Sequence, residues 1–301
     1  MNGTSGSRRA DRPRRVRTRL NFWSLAGLPG IAFLVLAFGI PLVIVVIRSL
    51  TDPSPENYLG VVQDPIYSSS LLRTVQISAL VTVLSLVIGY PYAYVMARSG
   101  KKTTTVLMGA LLLSFWTSLL VRTFAWQVIL NNTGIINEFL LAIGVIQEPL
   151  PLARNLFAVM VGMTHILMPF AILAIYSSLR GIKPDLEQAA QTLGASRLQV
   201  FRRVTLPLSL PGVAAGGILV FVMALGFYIA PALLGGPGDI MISQSIVLQV
   251  QQYLKPGMGA AMAVVLVVIV LAVFVVATRF IGLGRILGVT GTTTSGKDGA
   301  K

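Results

Sequence analysis

The sequence predicts an all-α integral membrane protein with six transmembrane helices. Of its 301 residues, 54% are hydrophobic and only 11% are charged, whereas about one quarter of the residues in soluble domains are charged. Six separate stretches reach the length of about 20 apolar residues that a helix needs to cross the hydrocarbon of a bilayer. The chain contains no cysteine, which excludes a disulfide framework, a thiolate metal site and a cysteine nucleophile.

The six stretches follow one another with polar segments between them. They cover residues 28–50, 72–97, 105–126, 155–179, 208–231 and 259–281. Pro41, Pro91 and Pro169 fall inside three of these spans, and membrane helices tolerate such kinks where neighbouring groups satisfy the freed carbonyls. Because the number of spans is even, we expect both termini to lie on the same side of the membrane.

The spans make up one predicted transmembrane domain, residues 28–281, with a short segment at either end. Residues 1–27 carry seven arginines opposed only by Asp11, and their content of Gly, Ser, Thr and Pro predicts disorder. We do not expect a cleaved signal peptide, because the apolar run that follows is too long for one. Residues 282–301 form a Gly/Thr tail that is predicted to be mobile.

The tail contains a partial nucleotide-binding pattern. Gly291 to Lys297 matches G-x-x-x-x-G-K, but Asp298 replaces the Ser or Thr that would hold magnesium, and no strand precedes the pattern. The sequence therefore predicts no nucleotide or other cofactor on this chain.

Positive charge is concentrated on one side of the predicted spans. Most of the 24 basic residues lie in the two end segments and in the loops after the second and fourth spans. The loops of the opposite side carry most of the acids, which are Asp52, Glu56, Asp64, Glu138, Glu148 and Asp239. Cytoplasmic loops of membrane proteins generally carry an excess of Lys and Arg. This distribution therefore predicts that both termini are cytoplasmic. We therefore interpret the net charge of +14 as a topology signal and not as a nucleic-acid-binding surface.

The loop 180–208 is predicted to contain two short helices. Pro184 suits the first position of the first helix, and Asp185 and Glu187 lie in its first turn, where the helix dipole favours acids. Gly194 is predicted to end this helix as a left-handed cap. The apolar positions recur at i, i+3, i+4 and i+7 and form a face of mostly small residues, which are Leu186, Ala189, Ala190 and Leu193.

The second helix of the loop is predicted to begin after Ser196. Gln199 lies three residues further on and is its capping-box partner, and the helix is expected to stop before Pro207. A loop with this much local order between two membrane spans is suited to contact with another protein.

The spacing in this loop resembles the EAA loop of ABC-importer permeases. Gln188-Ala189-Ala190 is followed after three residues by Gly194 and after nine more by Val204-Thr205-Leu206-Pro207. The family pattern is Glu-Ala-Ala-x3-Gly-x9-Ile-x-Leu-Pro. Gln188 occupies the position of the family glutamate, and Glu187 lies beside it. The sequence therefore leaves open which of the two makes the polar contact of the family glutamate. The resemblance extends over residues 70–285, and its flanks at 120–126 and 231–236 are similar to the spermidine/putrescine branch.

The resemblance implies the type I ABC-importer permease fold and a transmembrane permease subunit in the inner (cytoplasmic) membrane. The branch implies a polyamine as the solute, with an opine, an amino-acid derivative or another organic cation as alternatives. The implied partners are a second permease subunit, two cytoplasmic ATPase subunits that bind ATP and Mg²⁺, an extracytoplasmic solute-binding protein and membrane lipid, with no nucleic acid. The residues expected to couple the chain to the ATPases are Asp185, Glu187, Gln188, Ala189, Ala190, Gly194, Leu206 and Pro207.

Aromatic residues and one arginine of the spans are candidates for the translocation path. They are Tyr90, Tyr94, Trp116, Arg122, Trp126, Phe227 and Tyr228. Aromatic faces bind cationic amines with about 0.5–2 kcal/mol per ring, although the same side chains also suit ordinary helix packing. Arg122 can alternatively extend towards the outer headgroups.

Two other function classes have little support in the sequence. A proton-coupled secondary transporter needs acids or several histidines within the membrane, and the six spans contain no Asp or Glu. Their one histidine, His165, is interpreted as a hydrogen-bonded packing residue. An enzyme needs a nucleophile, a metal cluster or an acid–base pair, and the spans offer none. The sequence therefore predicts a transport subunit without catalytic or metal-binding residues.

Overall fold

Residues 28–281 are described by the computed structural model of the chain. The basic segment 1–27 and the tail 282–301, with its partial nucleotide-binding pattern, lie outside the described residues. Every regular element of the described part is a helix, which confirms the predicted all-α class.

We number the α-helices in chain order. They are α1 (Leu28–Thr51), α2 (Asn57–Gln63), α3 (Pro65–Arg98), α4 (Lys101–Trp116), α5 (Leu119–Ile129), α6 (Ile135–Ala142), α7 (Leu156–Gly181), α8 (Pro184–Thr192), α9 (Arg197–Val200), α10 (Leu206–Leu225), α11 (Ile229–Leu234), α12 (Ile242–Gln251) and α13 (Pro256–Ile281). A five-residue π-helical turn, Phe201–Thr205, joins α9 to α10.

The predicted number of spans is confirmed when one bent helix pair is counted as a span. Five helical runs are long and apolar enough to cross a bilayer, and they lie in α1, in α3, in α7, in the continuous run from α9 to α10, and in α13. The pair α4 and α5 passes the same test only when the two helices are taken together.

The third span is not the single helix that its apolar pattern predicts over residues 105–126. Helices α4 and α5 meet at an angle of 96°, because Thr117 and Ser118 take extended backbone angles with ψ of 131° and 138°. The backbone N–H and the hydroxyl of Thr117 both donate to the Leu113 carbonyl, at 3.2 Å and 3.0 Å, and these bonds close the last turn of α4. Neither Pro nor Gly marks the break, so hydrophobic periodicity alone does not reveal it.

The fifth span also differs from the prediction. The helix that begins at Arg197 does not stop before Pro207 but continues through the π turn to Leu225. The Leu206 N–H bonds to the Phe201 carbonyl, five residues back, and this wider turn lets the helix continue past Pro207, which has no N–H to donate. The predicted end at residue 231 is wrong as well, since residues 226–228 are not helical and separate α10 from α11.

Residues before Val45 form a unit of their own. The part of α1 in this unit exposes large apolar side chains such as Phe33 and Phe38. A helix that is hydrophobic all round is stable in contact with lipid, so α1 by itself has the character of a membrane helix.

The core of the second unit is built by α3, α7 and α10. One cluster buries Val81, Leu167 and Val220 completely. A second cluster contains Met96 and Ile175 and continues to the ends of α3 and α7. This end of the core carries the loop with α8 and α9.

Glycines of α10 allow a close approach to α7. A Cβ atom built on Gly212 would lie 2.3 Å from the Cβ of Ser178, and one built on Gly216 would lie 3.2 Å from the Cα of Ala171. Small residues at such contacts let membrane helices pack with their backbones close together.

We expect Gly212→Leu to destabilise the protein, because the new side chain cannot fit beside Ser178 without displacing α7. Overpacking of this kind costs about 1–3 kcal/mol, and the Tm of the purified protein in detergent measures the loss. The matched control is Gly109→Leu, where an added Cβ meets no atom within 4 Å. Equal losses of Tm in both variants would contradict the packing account.

Candidate functional site

Helix α8 and its two ends form as the sequence predicts. Pro184 is the first residue of the helix. At the other end, Gly194 has a φ of +87°, and its N–H bonds to the Gln191 carbonyl at 2.9 Å while the Ala195 N–H bonds to the Ala190 carbonyl at 3.1 Å. This pair of bonds is the Schellman arrangement, in which a glycine provides the left-handed residue. The predicted cap is confirmed.

The start of α9 is also confirmed. The Gln199 N–H donates to the Ser196 hydroxyl at 3.3 Å, and the Ser196 N–H donates to the Gln199 side-chain oxygen at 2.8 Å. These reciprocal bonds form the capping box. Local contacts therefore define both helices of the loop.

The apolar face of α8 is exposed. No residue of α8 is buried, Leu186 is 49% exposed, and Leu193, which caps the helix, is 89% exposed. Ala189 lies on the same face and is exposed as well. An apolar surface that residues 28–281 leave uncovered is typical of a contact site for another protein.

Glu187 fixes α8 to two other elements. Its Oε1 accepts a hydrogen bond from Arg98 Nη2, at the end of α3, at 2.5 Å. The same oxygen accepts from the hydroxyl of Thr205, in the π turn, at 2.7 Å. Within residues 28–281, Arg98 and Glu187 form the only ion pair with a nitrogen–oxygen distance below 4 Å. Both side chains are mostly buried. One carboxylate oxygen thus connects α8, α3 and the start of α10.

Gln188 makes no comparable contact. Its side chain is exposed, and within the described residues only its backbone carbonyl accepts a side-chain hydrogen bond, from Thr192. Of these two residues, Glu187 is therefore the one whose side chain forms hydrogen bonds to other elements within residues 28–281.

Aromatic contacts support the same region. The ring of Phe201, in the π turn, packs edge-on against Tyr90 at 5.8 Å and against Tyr94 at 5.7 Å. The Tyr90 hydroxyl lies 2.8 Å from the hydroxyl of Ser209 on α10. We call the whole set the loop junction, and it consists of Tyr90, Tyr94, Arg98, Glu187, Phe201, Thr205 and Ser209.

The predicted residues Leu206 and Pro207 lie between Thr205 and Ser209 of the loop junction. They are the first two residues of α10, and Pro207 is exposed. They therefore lie inside a continuous helix. The sequence instead predicts that the loop ends at these two residues.

The other path candidates lie away from the loop junction. Trp116 ends α4 and is 84% exposed, and Arg122 contacts Ser114 across the bend between α4 and α5, with Nη1 3.4 Å from the hydroxyl. The Trp126 indole N–H donates to His165 Nδ1 at 3.1 Å, which agrees with the interpretation of His165 as a hydrogen-bonded packing residue.

Phe227 and Tyr228 occupy the break between α10 and α11. Phe227 packs against the same core cluster as Trp126, and its carbonyl accepts from the Ser243 hydroxyl at 2.6 Å. Tyr228 is partly exposed. The seven candidates therefore fall into two groups, with Tyr90 and Tyr94 at the loop junction and the others near the two helix breaks.

Sequence reasoning missed several residues of the loop junction. Arg98 and Glu187 are 89 positions apart, and no spacing rule connects them. Phe201, Thr205 and Ser209 look like ordinary helix residues in the sequence. Within residues 28–281, no group of three or more His, Asp or Glu side chains lies close enough together to hold a metal ion.

Comparison with known proteins identifies the family. Residues 85–283, more than half of the chain, match the family described as binding-protein-dependent transport system inner membrane component. The chain is 35% identical over 214 residues to the spermidine/putrescine transport system permease protein PotB of Escherichia coli K12, covering 71% of this chain and 78% of that protein. It is 30% identical over 249 residues to the molybdenum transport system permease protein ModB of Mycobacterium bovis, covering 83% and 90%.

A solved structure supports the same fold. The chain matches, with a TM-score of 0.72 and 18% identity, a bacterial ABC transporter involved in the import of the acidic polysaccharide alginate. The match covers 89% of this chain and 96% of the other. The chain therefore belongs to the family of binding-protein-dependent transport system inner membrane components.

Proposed function

We propose that this chain is the transmembrane permease subunit of an ABC importer for a polyamine such as spermidine or putrescine. The observation that carries the importer proposal is the exposed apolar face of α8, held by Glu187 against α3 and α10. The polyamine is supported by the substrate in the name of the Escherichia coli relative, which aligns over most of both chains.

The proposed assembly contains the partners that such a subunit needs. It has a second permease subunit, two cytoplasmic ATPase subunits and an extracytoplasmic solute-binding protein. ATP and Mg²⁺ bind to the ATPase subunits, and this chain carries no catalytic step. Residues 28–281 form the permease domain with the coupling loop 180–208, and residues 1–27 and 282–301 are its cytoplasmic ends.

In the proposed mechanism, the ATPase subunits bind the apolar face of α8. ATP binding moves the ATPases together, and α8 moves with them. Because Glu187 bonds to both Arg98 and Thr205, the displacement reaches α3 and α10 at the same time. The ATPases thereby shift the population between inward-facing and outward-facing arrangements of the spans.

The translocation path is proposed to run past the aromatic candidates. Trp116 and Tyr228 are exposed on the surface of this chain. A second permease subunit would close the path at this surface. Trp126 and Phe227 pack against the core cluster, and Tyr90 and Tyr94 lie towards the inner end. Such rings can hold a cationic amine without a carboxylate in the membrane.

The transport proposal is tested with proteoliposomes that contain the assembled transporter. We expect ATP-dependent uptake of radiolabelled spermidine when the solute-binding protein is present on the outside, and stimulation of ATP hydrolysis by the loaded binding protein. Stimulation by an amino-acid derivative and not by spermidine would show that the solute is wrong. Uptake that persists without ATP would instead contradict the importer mechanism.

The role of the apolar face is tested with a charge placed on it. We expect Ala190→Arg to abolish uptake, because a guanidinium would interrupt the apolar contact with the ATPase. Gly194→Pro should have the same effect, since proline cannot adopt the positive φ of the cap. Both proteins should still reach the membrane, which immunoblotting of membrane fractions measures.

The matched control for the apolar face is Gln191→Arg. Residues advance by about 100° around a helix, so position 191 lies opposite the apolar face and is exposed. This variant should retain uptake. Normal uptake by Ala190→Arg, or equal loss in Gln191→Arg, would remove the proposed role of the apolar face.

The connection through Glu187 is tested by comparing neighbouring substitutions. Glu187→Ala removes hydrogen bonds to a charged group, worth about 1.5–3 kcal/mol, so the α8 amides should exchange with solvent faster and uptake should fall about tenfold or more. Gln188→Ala should change both by less than about twofold, because the Gln188 side chain forms no hydrogen bond within residues 28–281. Both variants are compared by hydrogen exchange of α8 and by uptake. A larger effect of Gln188→Ala than of Glu187→Ala would contradict the proposed role of Glu187.

A further inference from the structure

Arg122 is a charged residue of the third span with few partners among residues 28–281. It lies in α5, shortly after the 96° bend between α4 and α5. Within the described part of the chain, its guanidinium forms one long hydrogen bond, from Nη1 to the Ser114 hydroxyl at 3.4 Å. The Nε atom is buried without a partner there, and no carboxylate of residues 28–281 lies within 4 Å of the side chain. A guanidinium has five N–H donors, so most of its bonding capacity is unused.

The position of Arg122 on α5 places it within the membrane. Trp126 lies four positions further along α5, one turn away on the same face, and its indole N–H donates to His165 of α7. His165 comes nine residues after Leu156, the first residue of α7, which corresponds to about 14 Å along a helix. The face of α5 that carries Arg122 therefore packs against α7 well inside the span.

The side chains near Arg122 supply hydrogen bonds but no negative charge. The charge of Arg122 acts on the nearby His165 ring. Because His165 Nδ1 accepts from Trp126, neutral His165 carries its proton on Nε2 and donates there. His165 and Thr164 line a cavity of about 410 Å³ that has no Asp or Glu in its lining, and the buried Thr164 hydroxyl has no partner within residues 28–281. A carboxylate is the group that best accepts hydrogen bonds from a guanidinium.

The spans of this chain cannot provide that carboxylate. They contain no Asp or Glu, and ionisable groups inside a membrane generally pair with one another. In the proposed assembly, the ATPases contact the α8 end and the solute-binding protein is on the aqueous outer side, so the second permease subunit is the partner that reaches the depth of Arg122. Trp116, just before the bend, is 84% exposed, so the surface beside Arg122 is open to a partner helix.

We propose that Arg122 forms an ion pair with a carboxylate of the second permease subunit, next to the bend between α4 and α5. The inference rests on the proposed function, which places a second permease against these spans. The pair neutralises Arg122, whose charge would otherwise repel a cationic solute such as a polyamine. A planar guanidinium can bind both oxygens of a carboxylate, so the pair also fixes the register between the two subunits at the translocation path.

The pair is tested with a reactive amine at position 122 of the assembled transporter. Arg122→Lys keeps the positive charge, and a membrane-permeant carbodiimide joins the new amine to a carboxylate in contact with it. We expect a crosslink between position 122 and an Asp or Glu of the second permease subunit, which mass spectrometry of the digested complex locates. The unmodified transporter should give no crosslink at this position, because the arginine side chain cannot be deprotonated in proteins and does not form the amide.

Uptake by further variants separates a charge pair from simple packing. Arg122→Gln should lower spermidine uptake about tenfold or more, because it leaves the partner's carboxylate unpaired. Arg122→Lys should lose less than about fivefold, since only the hydrogen-bond geometry changes. Arg122→Glu should abolish uptake, and replacing the crosslinked carboxylate of the second subunit by arginine should restore it. Arg73→Gln removes a charge from an exposed site on α3 and, as the matched control, should leave uptake unchanged.

The outcomes distinguish the ion pair from the proposed function. If the transporter imports spermidine but position 122 crosslinks to nothing, or only to chains other than the second permease, the pair is refuted and the importer function stands. A functional complex that contains no second permease subunit would refute both. If Arg122→Lys does not assemble, a photoreactive benzoylphenylalanine in place of Trp116 decides the question, and its failure to crosslink to the second permease subunit would refute the pair.

Discussion

A single carboxylate oxygen connects the exposed loop to the membrane helices. Glu187 Oε1 accepts from Arg98 and from Thr205, so a displacement of α8 that keeps these bonds also displaces the end of α3 and the π turn before α10. Because both charged side chains are mostly buried, salt and water screen this pair less than a surface pair. Phe201 adds aromatic contacts to α3 at the same place. Hydrogen bonds and aromatic contacts therefore connect the loop to α3 and α10, two of the three core helices.

Helix α3 contributes to both faces of the core. One end carries Arg98 and the loop junction, and the other end carries Tyr67, which bonds to Gln249 of α12. Close packing of α7 against α10 at Gly212 and Gly216 keeps the helices between these ends in contact. In the proposed transport cycle, a displacement at the ATPase side therefore acts on helices that extend to the opposite side of the core.

Much of the loop could be predicted from the sequence because its signals are local. Pro184, Gly194 and the Ser196–Gln199 pair define helix ends through contacts within five positions, and apolar runs of sufficient length define the spans. The break at Thr117 and the continuation past Pro207 depend on backbone hydrogen bonds that no residue type marks. The hydrogen bonds of Glu187 depend on Arg98, 89 positions away, which only the fold brings close.

The most direct measurement is site-specific photo-crosslinking from α8 in the assembled transporter. The chain contains no cysteine, so Leu193→Cys provides one attachment point on the most exposed apolar residue of the loop. A benzophenone maleimide on this residue should crosslink to an ATPase subunit on irradiation. Labelling of the same cysteine by a membrane-impermeant reagent outside intact cells, or crosslinks that never include an ATPase subunit, would contradict the account.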